Sequence, residues 1–246
     1  MYSSLALTIM LGYPLLLSIA ITIGDKCPAY TEGKECTNVT TYKDFRTLIQ
    51  IEKAEGELVL CPFDIDMAED DAVTWIKRDL HLICQRKNAC IIRGGAYQIK
   101  VHGTNQVVFQ GFTLMGASKS AFRVWKKSPK LQKLCNIHFI GNKGFKKGSA
   151  LRLEGREIFV GHCNFTDNES VQQGAGLYTY GNAVVFNSTF FNNTAHRGSG
   201  IFVDSLGSLM LQESHFEGNL ALGKSGPVIY INGETFISST VIVYFL

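Results

Sequence analysis

The stretch FTDN at Phe165–Asn168 returns three more times in the chain with small changes. The related stretches are FIGN at Phe139–Asn142, FFNN at Phe190–Asn193 and FEGN at Phe216–Asn219. Successive phenylalanines in these four motifs are 26, 25 and 26 residues apart. A repeat with this period indicates a stack of similar units, each of which completes its core only against its neighbours.

The segments on either side of each FxxN motif are predicted to be strands. Apolar or β-branched runs such as EIFVGHC, AVVFNST and SLMLQES precede the motif, and GSALRL, GAGLYTY, GSGIFV and SGPVIYI follow it. Each unit then holds about three short strands separated by tight corners, with neither a helix nor a regular leucine consensus. The sequence therefore predicts an all-β fold, a right-handed parallel β-helix (a solenoid) with about 25–27 residues per coil.

The two fixed residues of the motif are expected to play different parts. The phenylalanines should point inward and form one stack, because equivalent positions of successive coils share a face. The asparagines should lie at a corner, where a residue that tolerates the left-handed conformation turns the chain and its amide bonds coil to coil. The same template places Phe112, 27 residues before Phe139, at the aromatic position, and Val241 at that position near the C-terminus.

The first 24 residues are predicted to be a secretory signal peptide. An uncharged apolar run extends from Leu5 to Ile23, and small residues favour cleavage after Ala20 or Gly24. An uncleaved signal-anchor helix is the alternative, since about 19 apolar residues nearly match the thickness of a bilayer. A membrane is an expected partner only in that second case.

Residues 25–56 are predicted to be an N-terminal cap with a short helix. Thr41 is the candidate N-cap, Phe45, Leu48 and Ile49 share one face, and the chain turns at Glu55-Gly56. This helix would shield the first coil of a β-helix that occupies residues 57–246. The apolar end VIVYFL has no cap after it, so we expect a partner or a missing segment to cover the C-terminal coil.

Cysteines and glycosylation sequons both predict an extracellular protein, secreted or at the cell surface. Of seven cysteines, the close pairs Cys27/Cys36 and Cys84/Cys90 are the predicted disulfides, which leaves an odd cysteine. No CxxC pair or histidine spacing predicts a metal site, and no cofactor is expected. The N-x-S/T sequons, candidate glycosylation sites, begin at Asn38, Asn164, Asn168, Asn187 and Asn192. Asn168 is the doubtful one, because it is also the asparagine of an FxxN motif.

Composition argues against two classes of protein. Hydrophobic residues make up 46% of the 246, which excludes a disordered chain. The net charge is only +3, and the lysines gather between Lys119 and Lys147 rather than along a helix, so we expect no nucleic-acid partner.

The order of the elements resembles a known family. A helix, an E-G turn, the strand LVLCP at Leu58–Pro62 and stacked coils resemble the entry into right-handed parallel β-helices of the pectin-lyase-like superfamily. The repeats look like those of the polymorphic outer-membrane proteins, whose motifs are FxxN and GGA(I/L/V), although GSA, GAG and GSG stand here for GGA. The resemblance covers residue 41 to the C-terminus. It implies a surface-exposed adhesive or recognition role, or polysaccharide cleavage as in the lyase branch.

A ligand-binding face follows from strand alternation. If Leu151 and Leu153 point inward, their neighbours point outward and align across coils in two columns. The first column holds Arg123, Arg152, Tyr178 and Phe202, and the second holds Trp125, Glu154, Tyr180 and Asp204. Aromatic rings among charges on a flat sheet suit sugar rings, so we expect these residues to bind extracellular polysaccharide or glycoprotein. The alternative is a solvated face whose aromatic rings cover apolar surface.

Catalysis on the same scaffold is the competing interpretation. Glu154 and Asp204 would lie two coils apart, about 9.6 Å, at the edge of the ~6.5–9.5 Å range of inverting glycosidases. A pectate-lyase mechanism needs clustered acidic calcium ligands beside an arginine, and these columns supply isolated carboxylates. We therefore expect non-catalytic binding, with a polysaccharide lyase or glycoside hydrolase as the alternative.

Overall fold

The computed structural model describes residues 7–8, 18–19, 26–29, 33–50, 56–67, 73–102, 105–125, 132–155, 157–223 and 226–243. Within them the chain forms a parallel β-helix preceded by one short helix, Tyr42–Gln50. Strands of successive coils pair in parallel register, so that three long sheets run along the whole stack. The predicted all-β solenoid and the helix ahead of it are confirmed.

Two long sheets take one strand from each coil. In chain order, sheet 1 consists of Glu57–Leu60, Leu80–Cys84, Val107–Gln110, Gln132–Cys135, Glu157–Gly161, Asn182–Phe186, Ser208–Gln212 and Glu234–Ser238. Sheet 2 consists of Phe63–Met67, Cys90–Gly94, Phe112–Met115, His138–Ile140, Asn164–Thr166, Thr189–Phe191, His215–Glu217 and Val241–Val243.

A third long sheet and a short fourth one complete the coils. Sheet 3 consists of Val73–Ile76, Tyr97–His102, Ser120–Trp125, Leu151–Leu153, Leu177–Thr179, Ile201–Val203 and Ile229–Ile231. Sheet 4 lies in the connection from sheet 2 to sheet 3 and consists of Lys143–Gly144, Glu169–Gln173, Thr194–Arg197 and Leu220–Ala221. Each coil thus runs from sheet 1 through sheet 2 to sheet 3.

The four phenylalanines of the FxxN motifs form one buried stack. Phe139, Phe165, Phe190 and Phe216 are fully buried. Their ring centroids are 4.8, 4.4 and 4.5 Å apart, and neighbouring rings are parallel within 5°. These spacings match the distance between hydrogen-bonded strands, because each ring sits directly above its equivalent in the next coil. The prediction of an inward stack is confirmed.

The asparagines of the motifs form a hydrogen-bonded ladder in which Asn142, Asn168 and Asn193 are fully buried and Asn219 is half-buried. Asn142 Nδ2 donates to Asn168 Oδ1 at 2.9 Å, Asn168 Nδ2 to Asn193 Oδ1 at 2.9 Å, and Asn193 Nδ2 to Asn219 Oδ1 at 2.8 Å. The backbone N–H of the preceding asparagine also donates to each of these oxygens. The second amide hydrogen of Asn193 reaches the carbonyl of Phe165 at 2.9 Å. The ladder therefore satisfies buried polar groups that would otherwise be costly.

The ladder asparagines do not themselves adopt the left-handed conformation. The prediction that these residues turn the chain at the corner is therefore corrected. The left-handed residue is the one before, namely Gly141, Asp167, Asn192 and Gly218, with φ of 58°, 54°, 53° and 64°. The turn at this corner is thus made by one residue and the bonding by the next. The ladder position needs an amide with both a donor and an acceptor, whereas the turn position needs only tolerance of positive φ.

Two registers differ from the prediction at the ends of the repeat. Leu114, not Phe112, pairs with Phe139, and Phe112 instead packs against Phe109 with centroids 4.1 Å apart. At the other end Phe216 pairs with Ile242, so Val241 lies one residue too early for the aromatic position. Coil length varies outside the FxxN region: Ile92 pairs with Leu114, a step of only 22 residues. A fixed period therefore misplaces residues there.

The predicted capping helix is present, with the predicted N-cap. The backbone N–H of Asp44 donates to Thr41 Oγ1 at 3.1 Å, and Asp44 Oδ2 accepts from the Thr41 N–H at 3.0 Å. This reciprocal pair has the form of a capping box. Phe45 and Ile49 are buried against the first coil, and Arg78 Nε donates to the Ile49 carbonyl at the C-terminal end of the helix.

All seven cysteines lie in the described part of the chain, and six of them form disulfides. The Cys84–Cys90 bridge is confirmed, whereas the predicted Cys27/Cys36 pair is wrong: Cys27 pairs with Cys135, and Cys36 with Cys61. The N-terminal segment lies along the outside of sheet 1, where Gln110 Nε2 donates to the Pro28 carbonyl at 3.1 Å. That path brings Cys27 to a residue 108 positions away. Disulfides of this number are typical of an oxidising, extracellular setting.

The structure describes four residues of the predicted signal peptide. Leu7–Thr8 pairs antiparallel with Ser18–Ile19. The predicted cleavage sites after Ala20 and Gly24 lie outside the described residues, as does Glu55 of the predicted turn. No helix in the described ranges is long and apolar enough to cross a membrane.

Candidate binding face on sheet 3

The first predicted column exists and is longer than the sequence suggested. Arg123, Arg152, Tyr178 and Phe202 occupy equivalent positions of successive strands in sheet 3. Pairing extends this column by Lys100 and Trp75 on the N-terminal side and by Tyr230 on the C-terminal side. We call all seven residues the first column from here on. They divide into an N-terminal part rich in cations and a C-terminal part that is wholly aromatic.

Two of the three rings in the C-terminal part of the first column are covered, whereas Tyr230 is half-buried. Tyr178 and Phe202 are only 3% and 4% exposed, although they point away from the core. The corner before each strand lies against the base of the side chain: a Cβ on Gly174 would lie 2.9 Å from Tyr178 Cβ, and one on Gly198 would lie 3.0 Å from Phe202 Cβ. These two rings therefore stabilise the outside of the sheet and offer no stacking surface, contrary to the expectation for them.

A charged cluster closes over Tyr178. Its hydroxyl hydrogen-bonds to Asp204 Oδ2, and Lys147 Nζ lies 3.0 Å from that hydroxyl and 3.3 Å from the same carboxylate. Burial, followed by the hydrogen bond to Asp204, raises the pKa of Tyr178. For Asp204, partial burial opposes ionisation, but hydrogen bonds from Tyr178, Ser205 and Lys147 outweigh it and lower the pKa. Asp204 is thus an ionised anchor for this cluster at neutral pH.

Glu154 is held by two arginines of the first column. Its Oε1 accepts from Arg152 Nε at 2.7 Å and from Arg123 Nη2 at 3.0 Å. The two carboxylates proposed as weak catalytic candidates, Glu154 and Asp204, therefore each lie in a separate ion-pair cluster. The lowered pKa of Asp204 also does not suit a general acid, which must hold a proton near the operating pH.

Aromatic rings and cations alternate at the N-terminal part of the face. Lys100 Nζ lies 3.6 Å from the ring centroid of Tyr97 and 4.9 Å from that of Trp75. The rings of Trp75 and Trp125 are 5.7 Å apart, and Arg123 Cζ lies 5.6 Å from the Trp125 ring. Such contacts orient the rings and leave part of the face open, since Trp125 is 38% exposed. Tyr180, the other ring of the second column, is partly buried.

A cleft adjoins this face at the corner between sheets 2 and 3. It has a volume of about 290 Å³ and is lined by Tyr97, Lys119, Ser120, Phe145, Lys146, Lys147 and Arg152. We call it the lysine cleft. Phe145 at its rim is 70% exposed, a high value for a phenylalanine. Three lysines and an arginine make its lining strongly cationic.

Most of the residues around this cleft were missed by sequence reasoning. The predicted columns began at Arg123, because the coils before it lack the FxxN motif. One sequence signal could have added Lys100 to the first column, namely the alternation Ile99-Lys100-Val101, which aligns with Phe122-Arg123-Val124. Phe145 and the three lysines lie in corners, whose path a strand pattern does not predict.

Four of the five sequons stand at accessible positions. Asn38, Asn187 and Asn192 are exposed, and Asn164 is half-buried with its Nδ2 2.8 Å from His138 Nε2. Asn168 is fully buried, and both hydrogens of its amide are used in the ladder. Asn164, Asn187 and Asn192 lie on sheet 2 or its two flanking corners. Glycans there would cover sheet 2 and leave sheet 3 open.

Among the described residues, the histidines of sheet 2 do not assemble into a site. His138 and His215 share an outward column of sheet 2 with Asn164 and Thr189 between them. Burial, together with the charge of Lys87, lowers the pKa of His138. In the described ranges no three His, Cys, Asp or Glu side chains are grouped so that they could hold a metal ion.

Comparison with known proteins identifies no relative of this chain. No family model, no curated protein and no solved structure matches this chain. The function must therefore be argued from the geometry of the site itself.

Proposed function

We propose that this protein is an extracellular, non-catalytic binding or adhesion protein that recognises polysaccharide through the outer face of sheet 3. The observation that carries the proposal is the group of partly open aromatic rings among cations at Trp75, Tyr97, Lys100, Arg123 and Trp125. A sugar ring stacks its C–H face on such rings, while its hydroxyl groups bond to charged side chains. Strands about 4.8 Å apart repeat these contacts regularly along an extended chain.

Three further features support an extracellular role. The three disulfides suit an oxidising compartment, and the apolar leader suits secretion. Three of the four accessible sequons, Asn164, Asn187 and Asn192, lie on or beside sheet 2, so glycans on them would leave the proposed face free. Glu154 and Arg152 would orient the ligand by hydrogen bonds, and Asp204 would act indirectly, by holding Lys147 in place.

A screen of the secreted protein on a polysaccharide array tests this function. Replacing Trp125 and Tyr180 together by alanine should weaken binding by at least about tenfold, as for a central aromatic contact. Phe191→Ala is the matched control, because Phe191 lies on sheet 2 and is 37% exposed, almost the same as Trp125. That variant should bind normally. Equal loss in the control, or no binding by the unmodified protein, would contradict the proposal.

The catalytic alternative is tested in the same preparations. We expect no release of reducing ends from polyuronides or neutral glycans. If product is released and Glu154→Gln or Asp204→Asn abolishes its release, the protein is a lyase or hydrolase and our proposal is wrong.

A further inference from the structure

We infer that the polysaccharide bound by sheet 3 is anionic and that the lysine cleft holds one of its sulfate or carboxylate groups. This inference rests on the proposed function and adds to it the charge of the ligand and the place where that charge is bound. It follows from the arrangement of cations, carboxylates and open rings around the cleft.

Cations outnumber carboxylates where the cleft meets the first column. The six cations are Lys100, Lys119, Arg123, Lys146, Lys147 and Arg152. Glu154 contacts Arg123 and Arg152, and Asp204 contacts Lys147. Within the described ranges these two carboxylates pair with three of the cations. Five cations, not counting Lys119, then face two carboxylates, so the group attracts anions. A concave surface of one sign concentrates the field and attracts ligands of the opposite sign.

The cations are close enough to repel one another. Burial, together with the charges of Arg123 and Lys119, lowers the pKa of Lys100. The buried Nε of Arg123 has no hydrogen-bond partner among the described residues. An anion bound here would relieve the repulsion between these charges, and charge-assisted hydrogen bonds would supply much of its binding energy.

The apolar part of the cleft favours a sugar over a simple ion. Phe145 stands open at the rim, and the ring of Tyr97 lies in the lining beneath Lys100. A saccharide unit with a charged substituent can place its ring against these aromatic faces and its anionic group among the lysines. A volume of about 290 Å³ is at the small end of ligand sites, as expected for one unit of a longer chain.

Isothermal titration with three oligosaccharides of equal length tests the inference: a sulfated dextran, an oligogalacturonide and an unsulfated dextran. We expect at least one anionic probe to bind and to weaken with added salt, because exposed charges are screened. The double variant Lys119→Gln, Lys146→Gln should lose at least about tenfold in affinity, since it removes two charged contacts. Glu154→Gln should bind an anionic probe more tightly, because the amide can still hydrogen-bond to the ligand while the loss of the negative charge frees the two arginines.

The matched control removes the same charge elsewhere. Lys43 and Lys87 are exposed on the capping helix and in the corner between sheets 1 and 2, and the variant Lys43→Gln, Lys87→Gln should keep the normal affinity. Equal loss in both double variants would overturn the site. Equal binding of unsulfated dextran would overturn the anionic class but leave the proposed function standing, whereas no saccharide binding would overturn both. Equally tight binding to an oligonucleotide or to anionic lipid vesicles would overturn the choice of a sugar.

Discussion

Replacing Phe190 by alanine should reveal how much the phenylalanine stack stabilises the fold. Phe190 is fully buried, and its ring lies 4.4 Å from that of Phe165 and 4.5 Å from that of Phe216. The backbone of Gly176 is also close, since a Cβ placed there would lie 2.7 Å from the Phe190 ring. The cavity left by alanine is therefore walled by rigid neighbours and cannot collapse easily.

The expected cost is about 3–5 kcal/mol in the free energy of unfolding, the range for a buried phenylalanine. Phe139 is an internal comparison, because it is equally buried but has a ring on one side and Leu114 on the other. An aromatic pair contributes about 0.5–1.5 kcal/mol beyond its buried area. Phe139→Ala should therefore cost about 1 kcal/mol less than Phe190→Ala.

Urea unfolding followed by far-UV circular dichroism and tryptophan fluorescence measures both variants. Phe190→Leu belongs in the series, since Leu114 already occupies this column in the coil before Phe139. The exchange should cost about 1–3 kcal/mol, because the contacts with both neighbouring rings are lost. The reasoning fails if Phe190→Ala costs under about 1 kcal/mol, or if Phe139→Ala is the more damaging change.

Three other expectations can be checked on the same protein. Replacing Cys27 and Cys135 by serine should lower the free energy of unfolding by about 4–5 kcal/mol, because their bridge spans 108 residues of the unfolded chain; an unchanged urea midpoint would contradict this. Asp204→Asn should destabilise the protein fully above pH 3.8, the ordinary pKa, and the difference should shrink as the pH falls below 3.8 and vanish once the pH passes the lowered folded-state pKa, since only the ionised form is stabilised. Thermal unfolding between pH 2 and 7 measures that difference. Peptide mapping should find Asn168 without glycan and Asn38 modified, whereas the reverse would count against the buried ladder.

The repeat made the central coils predictable from the sequence. Between Phe139 and Phe216 the spacing is nearly constant, so one register assigns every inward ring and every ladder asparagine. The prediction failed where that regularity ends, at Phe112 and Val241, because coil length changes and no motif marks the change. Local patterns also determined the capping helix, since Thr41 and Asp44 bond within one turn.

Long-range contacts could not be predicted from the sequence. Cys27 is nine residues from Cys36, which suggested a local pair, but the path of the N-terminal segment across sheet 1 brings Cys27 to Cys135 instead. Strand alternation correctly placed Tyr178 and Phe202 on the outer side. Strand alternation predicts which way a side chain points, however, and not how much of it is exposed to solvent. The corners that lie against these two side chains depend on left-handed glycines such as Gly174 and Gly198.

The asparagine ladder has a consequence for how such a chain can change by mutation. Each ladder asparagine between Asn142 and Asn219 bonds to equivalent groups in its neighbours, so the ends of any one coil are interchangeable with those of the next. An in-frame deletion or duplication from one ladder asparagine to the next removes or adds 25 or 26 residues and rejoins matching partners. Such changes in the gene can thus shorten or lengthen the molecule, and with it sheet 3, in whole coils without any new core to be selected.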